Sequence, residues 1–376
     1  MEIFTDQGTS IPELRLTTRT VIDRTVALYG PSRSGKTVIT KHILDLLFGE
    51  VDQVLVVSPT EPSNHSFIDY VPAQLIHYTM TAPDPKNPRK RLGGGAGALL
   101  FLEQVWQRQE MLTQTYQRAN NTETLARLFR RASSQLQTAA ANDFRSVESL
   151  KKSTLEKIVK RYRHDGDRRA EETRKLESKF NEIRSKIYKK YIWQDLAKLW
   201  SKFPSLTEDE RWALQYLDLN PKLVLIFDDC AAELKPLFSK PIFRKLFYQN
   251  RHNNLTVIFT FQDDTDLPTN LRKNAFISIF CNEVVCSSNF ERTTNRYSKQ
   301  ARKTVQEIAP TVFGKKFRKL AYIRDDPRGK CYYHFTSPSP KGQMFGSKPV
   351  QELCQVLAAD ESKVDQENPF YKKFRL

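Results

Sequence analysis

Gly30-Pro31-Ser32-Arg33-Ser34-Gly35-Lys36-Thr37 is the stretch that decides the fold. These residues satisfy every fixed position of the phosphate-binding pattern G-x-x-x-x-G-K-[ST]. Before them, Thr25-Val26-Ala27-Leu28-Tyr29 is an apolar, β-prone run that predicts a buried strand. After them, Val38 to Phe48 spaces its apolar residues as a helix does. A strand entering a glycine loop that opens a helix turns several backbone N–H groups, and the positive helix end, toward phosphate oxygens. In that setting the octet from Gly30 to Thr37 is expected to cradle the phosphates of a nucleotide. Lys36 reaches its β- and γ-phosphates, and the Thr37 hydroxyl holds Mg²⁺.

Working outward, the next chemistry lies at Leu223-Val224-Leu225-Ile226-Phe227, an apolar strand closed by Asp228-Asp229. A strand ending in two acids is what a nucleotide site needs beside the loop. Asp228 is the expected Mg²⁺ partner, and Asp229 the base that polarises a water for attack on the γ-phosphate. Glu233 is a weaker candidate for the base and Glu61 weaker still. Leu255 to Phe261 is a further buried strand, ending at Gln262, a polar side chain that could sense the γ-phosphate. This strand is expected between the loop strand and the sheet edge. Arg251 and Arg272 are candidates for a charge-stabilising arginine. The five cysteines and six histidines show no metal-ligand spacing.

Gln53 to Ser58, Phe276 to Phe280 and a hairpin made of Leu320–Arg324 and Tyr332–Phe335 supply further strands. Strands alternating with helices predict an α/β fold with a mostly parallel sheet and helices on both faces. An edge strand is expected at Glu13 to Leu16, a helix from Pro236 to Asn250, and another from Pro349 to Ala359. Ala82 to Gly97, rich in Pro, Gly, Lys and Arg, reads as a long exposed loop. From Leu99 to Lys202 glycine almost vanishes. Residues 116–202 carry 22 Lys/Arg against 11 Asp/Glu, eleven of the chain's net +17 charges. Leu155, Ile158 and Tyr162, then Leu176, Phe180, Ile183 and Ile187, step by three and four. Gly166 and Arg169 interrupt that stripe, which predicts amphipathic helices folding back on themselves. The expected division is a lead-in at 1–24, an ATPase core at 25–98 and 203–336, a basic helical insertion at 99–202, and a C-terminal extension at 337–376.

Length and composition add bounds. A chain of 376 residues can bury a large core. Its positive balance implies an acidic partner, most often nucleic acid. Cysteine usage fits a reduced, intracellular setting. No run of about eighteen apolar residues exists, so no membrane span is expected, and Met1 to Arg24 is too polar for a secretory signal.

Read together, GPSRSGKT at 30–37, VLVVSPTEPSN at 54–64, LVLIFDD at 223–229, NRHNNLTVIFTFQ at 250–262 and LPTNLRKNAF at 267–276 resemble one family. They are similar, in the same order, to the genome-packaging ATPases of poxviruses and other large DNA viruses, within the FtsK/HerA superfamily. The resemblance covers roughly residues 20–80 and 220–335. It implies a P-loop NTPase of the additional-strand, RecA-like type. It further implies a homo-oligomeric ring, hexameric or pentameric, that moves double-stranded DNA into a capsid. Arg251 would then act across the subunit interface, with Arg272 second. Capsid or portal-vertex proteins are implied partners, and a virus factory, the nucleus or the virion the implied location. The basic segment at 99–202 has no counterpart in that family. Two other classes use the same loop: a small-molecule kinase, which needs an arginine lid and an acceptor pocket, and a DNA-binding scaffold with a vestigial site. The intact Lys36, Thr37 and Asp228 speak against the scaffold.

Overall fold

Eight strands pair into one sheet in this computed structural model, which describes residues 2–324, 326 and 330–361. They are β1 Thr25–Tyr29, β2 Gln53–Val57, β3 Ile76–His77, β4 Leu223–Asp228, β5 Leu255–Phe261, β6 Ile277–Phe280, β7 Lys319–Ile323 and β8 Tyr332–Phe335. Their spatial order is β8-β7-β6-β1-β5-β4-β2-β3. The six strands from β6 to β3 run parallel, and the β7-β8 hairpin adds an antiparallel edge. The fold is therefore α/β, with the loop strand at the centre.

Both faces of the sheet are dry, as continuous apolar runs require. Ala27, Tyr29, Leu225, Phe227, Val257, Phe259 and Phe261 face one side. There they meet Phe101, Leu102 and Val105 of the helix Gly94–Ala119, and Phe243 and Phe247 of the helix Pro241–Tyr248. Val26, Leu28, Val224, Ile226 and Ile258 face the other side, under Ile39, Ile43, Leu44 and Leu47 of the helix Lys36–Leu47. Alternation along each strand sends neighbouring residues to opposite cores.

Several local expectations change. Gln262 ends a strand that lies between the loop strand and the Asp228 strand, not between the loop strand and the edge. Ala82–Asp84 and Asn87–Leu92 pair as a hairpin where a loop was expected, and the Arg91 side chain ties back to the Thr81 hydroxyl and carbonyl. The predicted helix 236–250 is broken into Ala231–Leu234, a 3₁₀ turn at Lys235–Leu237, and Pro241–Tyr248, since Pro241 sits at the first helical turn, where its missing N–H costs nothing. Near the start, Glu2–Phe4 pairs with Ser10–Pro12, and Glu13 contributes a single bridge to His334. The C-terminal helix runs Lys348–Glu361, while residues 325 and 327–329 of the β7-β8 turn and the tail beyond 361 lie outside the described residues.

The chain divides into two compact units, residues 1–110 with 221–376, and residues 111–220. The helical unit thus ends later than 202. Leu206, Ala213, Leu214 and Leu217 share its own core with Leu125, Leu128, Ile192 and Leu199. Within it, Ser134–Arg161 and Gly166–Gln194 form a hairpin of helices about 42 Å long at 1.5 Å per residue. Its turn carries exposed Lys157, Lys160, Arg161, Arg163, Arg168 and Arg169. Lys151 and Lys190, by contrast, are paired with Glu177 and Asp143 along the stem.

Phe259 is the keystone of the first core, fully buried and stacked on Phe227, Phe247 and Phe261 at 5.1, 5.1 and 5.8 Å between ring centroids. Phe259→Ala should cost about 3–5 kcal/mol through reduced burial and a residual cavity. Chemical denaturation of the two proteins checks it.

Candidate functional site

The phosphate loop is built by close approach. Tyr29 is stacked between Phe261 and Phe280, with centroids 5.9 and 5.3 Å away. The Gly30 N–H donates to the Phe261 carbonyl at 3.1 Å. A Cβ on Gly30 would stand 2.7 Å from Ser34 Oγ and 2.8 Å from Cys281 Cβ, so only glycine fits. Gly35 closes the loop with φ near +94°, in the left-handed region that favours glycine. It is also the N-cap of Lys36–Leu47, and no side chain caps that helix end. The helix N–H groups are left for a ligand.

Lys36 Nζ donates to the Gly30 and Pro31 carbonyls at 2.5 and 3.0 Å. Burial holds its pKa below the usual lysine value, while the nearby Cys281, Asp229 and Asp228 push the other way. Thr37 is half-buried on the first helical turn. Pro31, Ser32 and Arg33 are exposed at the loop's outer rim, with Arg33 itself at φ +61°.

Asp228 and Asp229 end β4 beside the loop. Asp228 is 7% exposed, and its carboxylate accepts from Thr260 Oγ1 at 2.8 Å and Ser58 Oγ at 3.2 Å. Burial raises its pKa, the two hydroxyl donors opposing. Asp229 adopts φ +54°, its N–H donating to Thr260 Oγ1 at 3.1 Å. Gln262 Nε2 donates to both Asp229 oxygens, at 3.0 and 3.2 Å. The structure thus gathers the loop, Lys36, Asp228, Asp229 and Gln262 at the C-terminal ends of three adjacent strands.

Ser58 and Thr260 were not singled out from the sequence. The signal for Thr260 was its spacing two before Gln262, which places both on one face of β5.

Four other candidates are placed elsewhere. Arg251 lies exposed in the 3₁₀ turn Asn250–Asn253, before β5, at the opposite end of the sheet from the loop. There it lines a cleft of about 190 Å³ with Asp23, Arg24, Asn274 and Arg324. Arg272 is buried, ion-paired to Asp264 and donating to the Leu267 carbonyl. Locked inside its own chain, Arg272 cannot serve as an arginine presented to a neighbour. Glu233 accepts from the Met80 N–H at 3.1 Å, and Glu61 from the Phe67 N–H at 2.7 Å. Both hold backbone turns.

The donor set fits Mg²⁺. Thr37 offers a hydroxyl and Asp228 a carboxylate, both hard oxygens, and Mg²⁺ asks a protein for only one or two because water and phosphate fill the rest. Among the described residues no cluster of three or more His, Cys, Asp or Glu forms a richer metal cage.

No protein-family model matches the chain. It is 44% identical over its full length, and over 99% of the relative, to the uncharacterized protein B354L of African swine fever virus from a Kenyan pig isolate. The Badajoz strain's B354L matches equally. A 65-residue stretch is 35% identical to protein 075L of Invertebrate iridescent virus 6, covering 17% of this chain and 25% of that one. Among solved structures, the genome packaging NTPase B204 of Sulfolobus turreted icosahedral virus 2, with ATP-gammaS, aligns at 12% identity and TM-score 0.34 over 85% of this chain and 98% of that one. The plasmid coupling protein TrwB aligns at 9% identity and TM-score 0.34, over 89% of this chain and 91% of its own. The fold assignment rests on the chain's own strand order.

The raised pKa of Asp228 has a signed consequence. A carboxyl whose folded pKa lies above its unfolded value binds more protons when folded, so stability falls as pH rises from the unfolded value through the folded one. Asp228→Asn keeps an acceptor for Thr260 and removes the charge. It should raise the ligand-free melting temperature at pH 8 relative to wild type and leave it near wild type at about pH 3.5, below the ordinary Asp pKa. Melts at the two pH values check the sign.

Proposed function

The chain belongs to the family of the African swine fever virus B354L protein, and we propose that it is an ATPase that drives double-stranded DNA into a viral capsid. The observation that carries this reading is the convergence of Lys36, Asp228, Asp229 and Gln262 at the ends of β1, β4 and β5. A strand inserted between the loop strand and the acid strand, ending in a polar side chain on the second acid, suits a hydrolase that senses the γ-phosphate.

In this reading Lys36 leaves the Gly30 and Pro31 carbonyls for the β- and γ-phosphates, and the uncapped helix N–H groups bind phosphate oxygens. Bound Mg²⁺, on Thr37 and Asp228, would neutralise charge developing on the phosphates. Asp229 accepts a proton from the attacking water, with Gln262 fixing the direction of its carboxylate. Arg251 cannot reach its own loop. The seven residues of β5 separate the two by about 20 Å at 3.3 Å per residue. Its contribution therefore requires another copy, as in a ring of five or six subunits.

The basic turn of the helical hairpin is the surface we assign to the DNA backbone, read without sequence preference. Arg163 and Arg169 there form no ion pair among the described residues, so their charge is free to meet phosphates.

Purified protein should hydrolyse ATP faster with double-stranded DNA, and Lys36→Ala should abolish turnover while leaving the melting temperature near wild type. Asp229→Asn should retain nucleotide affinity and drop at least about a hundredfold in turnover, as expected when a general base is removed. Binding abolished along with turnover would move Asp229 to the metal partner's role.

Arg251→Ala should also bind ATP and hydrolyse it poorly. Mixed with Lys36→Ala protein under subunit exchange, it should regain activity wherever an intact loop meets an intact arginine. A mixture as inactive as either parent would show that Arg251 does not act between copies.

Arg163→Glu with Arg169→Glu should weaken DNA binding. It should also flatten the slope of log affinity against log salt by roughly one unit for each DNA phosphate that the arginines no longer neutralise. An unchanged slope with altered oligomer mass would assign the hairpin to assembly.

A further inference from the structure

Lys319 opens β7, the strand antiparallel to β6, and so stands at the loop end of the sheet. It is 6% exposed. Its Nζ donates to the Ser34 carbonyl at 2.5 Å, and lies 3.6 Å from where a Cβ on Gly35 would be. Its ammonium also faces the buried Cys281 thiol, whose pKa burial raises and whose other cationic neighbour is Lys36. Among the described residues Lys319 forms no ion pair with a carboxylate.

A buried ammonium without a counter-ion is costly, and such groups are normally paired or neutralised. Two features explain its retention here. First, the peptide whose oxygen it holds is the one that carries the Gly35 N–H. Carbonyl and N–H point opposite ways across a trans peptide, so fixing the oxygen outward turns the N–H inward to the phosphates. Second, a cation on the carbonyl polarises that peptide and strengthens the N–H as a donor.

We propose that Lys319 is a positioning residue of the phosphate loop, a second lysine acting from behind it. It sets the Ser34–Gly35 peptide to receive phosphate, and its charge is balanced only when the phosphates bind. This inference rests on residues 30–37 being a nucleotide site. It assigns a specific dependence to that site, which Lys36, acting from within the loop, does not account for.

The test uses the full chain with K319M, which removes charge and donor at similar length, and K319Q, which keeps a donor. Calorimetric titration with MgATP and with magnesium pyrophosphate reads affinity, and melting without ligand reads stability. K319M should weaken both affinities at least about tenfold, the scale of a charge-assisted hydrogen bond. K319Q should fall between it and wild type. Both ligand-free proteins should melt within a few degrees of wild type or above it, because the uncompensated charge has gone.

Affinities within twofold of wild type in K319M would overturn the proposal. So would a K319M chain that fails to fold or melts well below wild type, which would make Lys319 a purely structural lysine. Failure of the underlying reading has a different signature, a wild-type chain with no measurable affinity for MgATP.

Discussion

Parallel pairing of β5 between β1 and β4 is the constraint on which the site depends. Its register sets Tyr29 opposite Phe261 and Asp228 opposite Thr260. One hydroxyl then serves two acids. Thr260 Oγ1 donates to the Asp228 carboxylate and accepts the Asp229 N–H. Without that acceptor the Asp229 backbone, already in the left-handed region, would have no anchor. A slip of one residue would send Thr260 and Gln262 to the opposite face and put Phe259 and Phe261 into the site. Apolar packing on both faces prevents such a slip, so the same residues that stabilise the sheet also aim the acids.

The polar groups so gathered are held at a cost. Burial opposes charge on Asp228 and on Lys36, raising the one pKa and lowering the other. Each is partly satisfied within the chain, Asp228 by two hydroxyls and Lys36 by two loop carbonyls. Those bonds are weaker partners than a phosphate or a cation would be. A site that keeps opposite charges desolvated and only partly satisfied is organised for a ligand bearing both.

Much of this was legible in the sequence because buried parallel strands announce themselves as unbroken apolar runs. Five of the six parallel strands of the sheet lie in such runs, and the two motifs that close β1 and β4 are continuous in sequence. What was missed is what depends on long-range pairing. Strand β3 is two residues long, and the hairpin after it is made of proline and basic residues with no alternation to betray it. Ser58 and Lys319 are site neighbours only because the sheet folds positions some 170 and 285 residues from their partners against them. The error over Arg272 is of the same kind. A short motif looks alike whether its arginine is presented or buried, and only Asp264, folded beneath it, decides.

Strand direction has one more consequence. Every parallel strand of the sheet delivers its C-terminal end to the phosphate loop and its N-terminal end to the far edge. Arg251 precedes β5 and Arg24 precedes β1, and both line the cleft at that far edge. Gln262 and Gly30 follow the same two strands and stand at the loop end of the sheet. A single copy therefore separates Arg24 and Arg251 from its own loop by the length of a strand, and no side-chain rotation can close that gap. Two copies arranged head to tail bring one edge against the other without any change in either. A heterologous interface of that kind closes into a ring when its rotation divides a full turn. On the proposed reading, the need for several subunits follows from the direction of the strands.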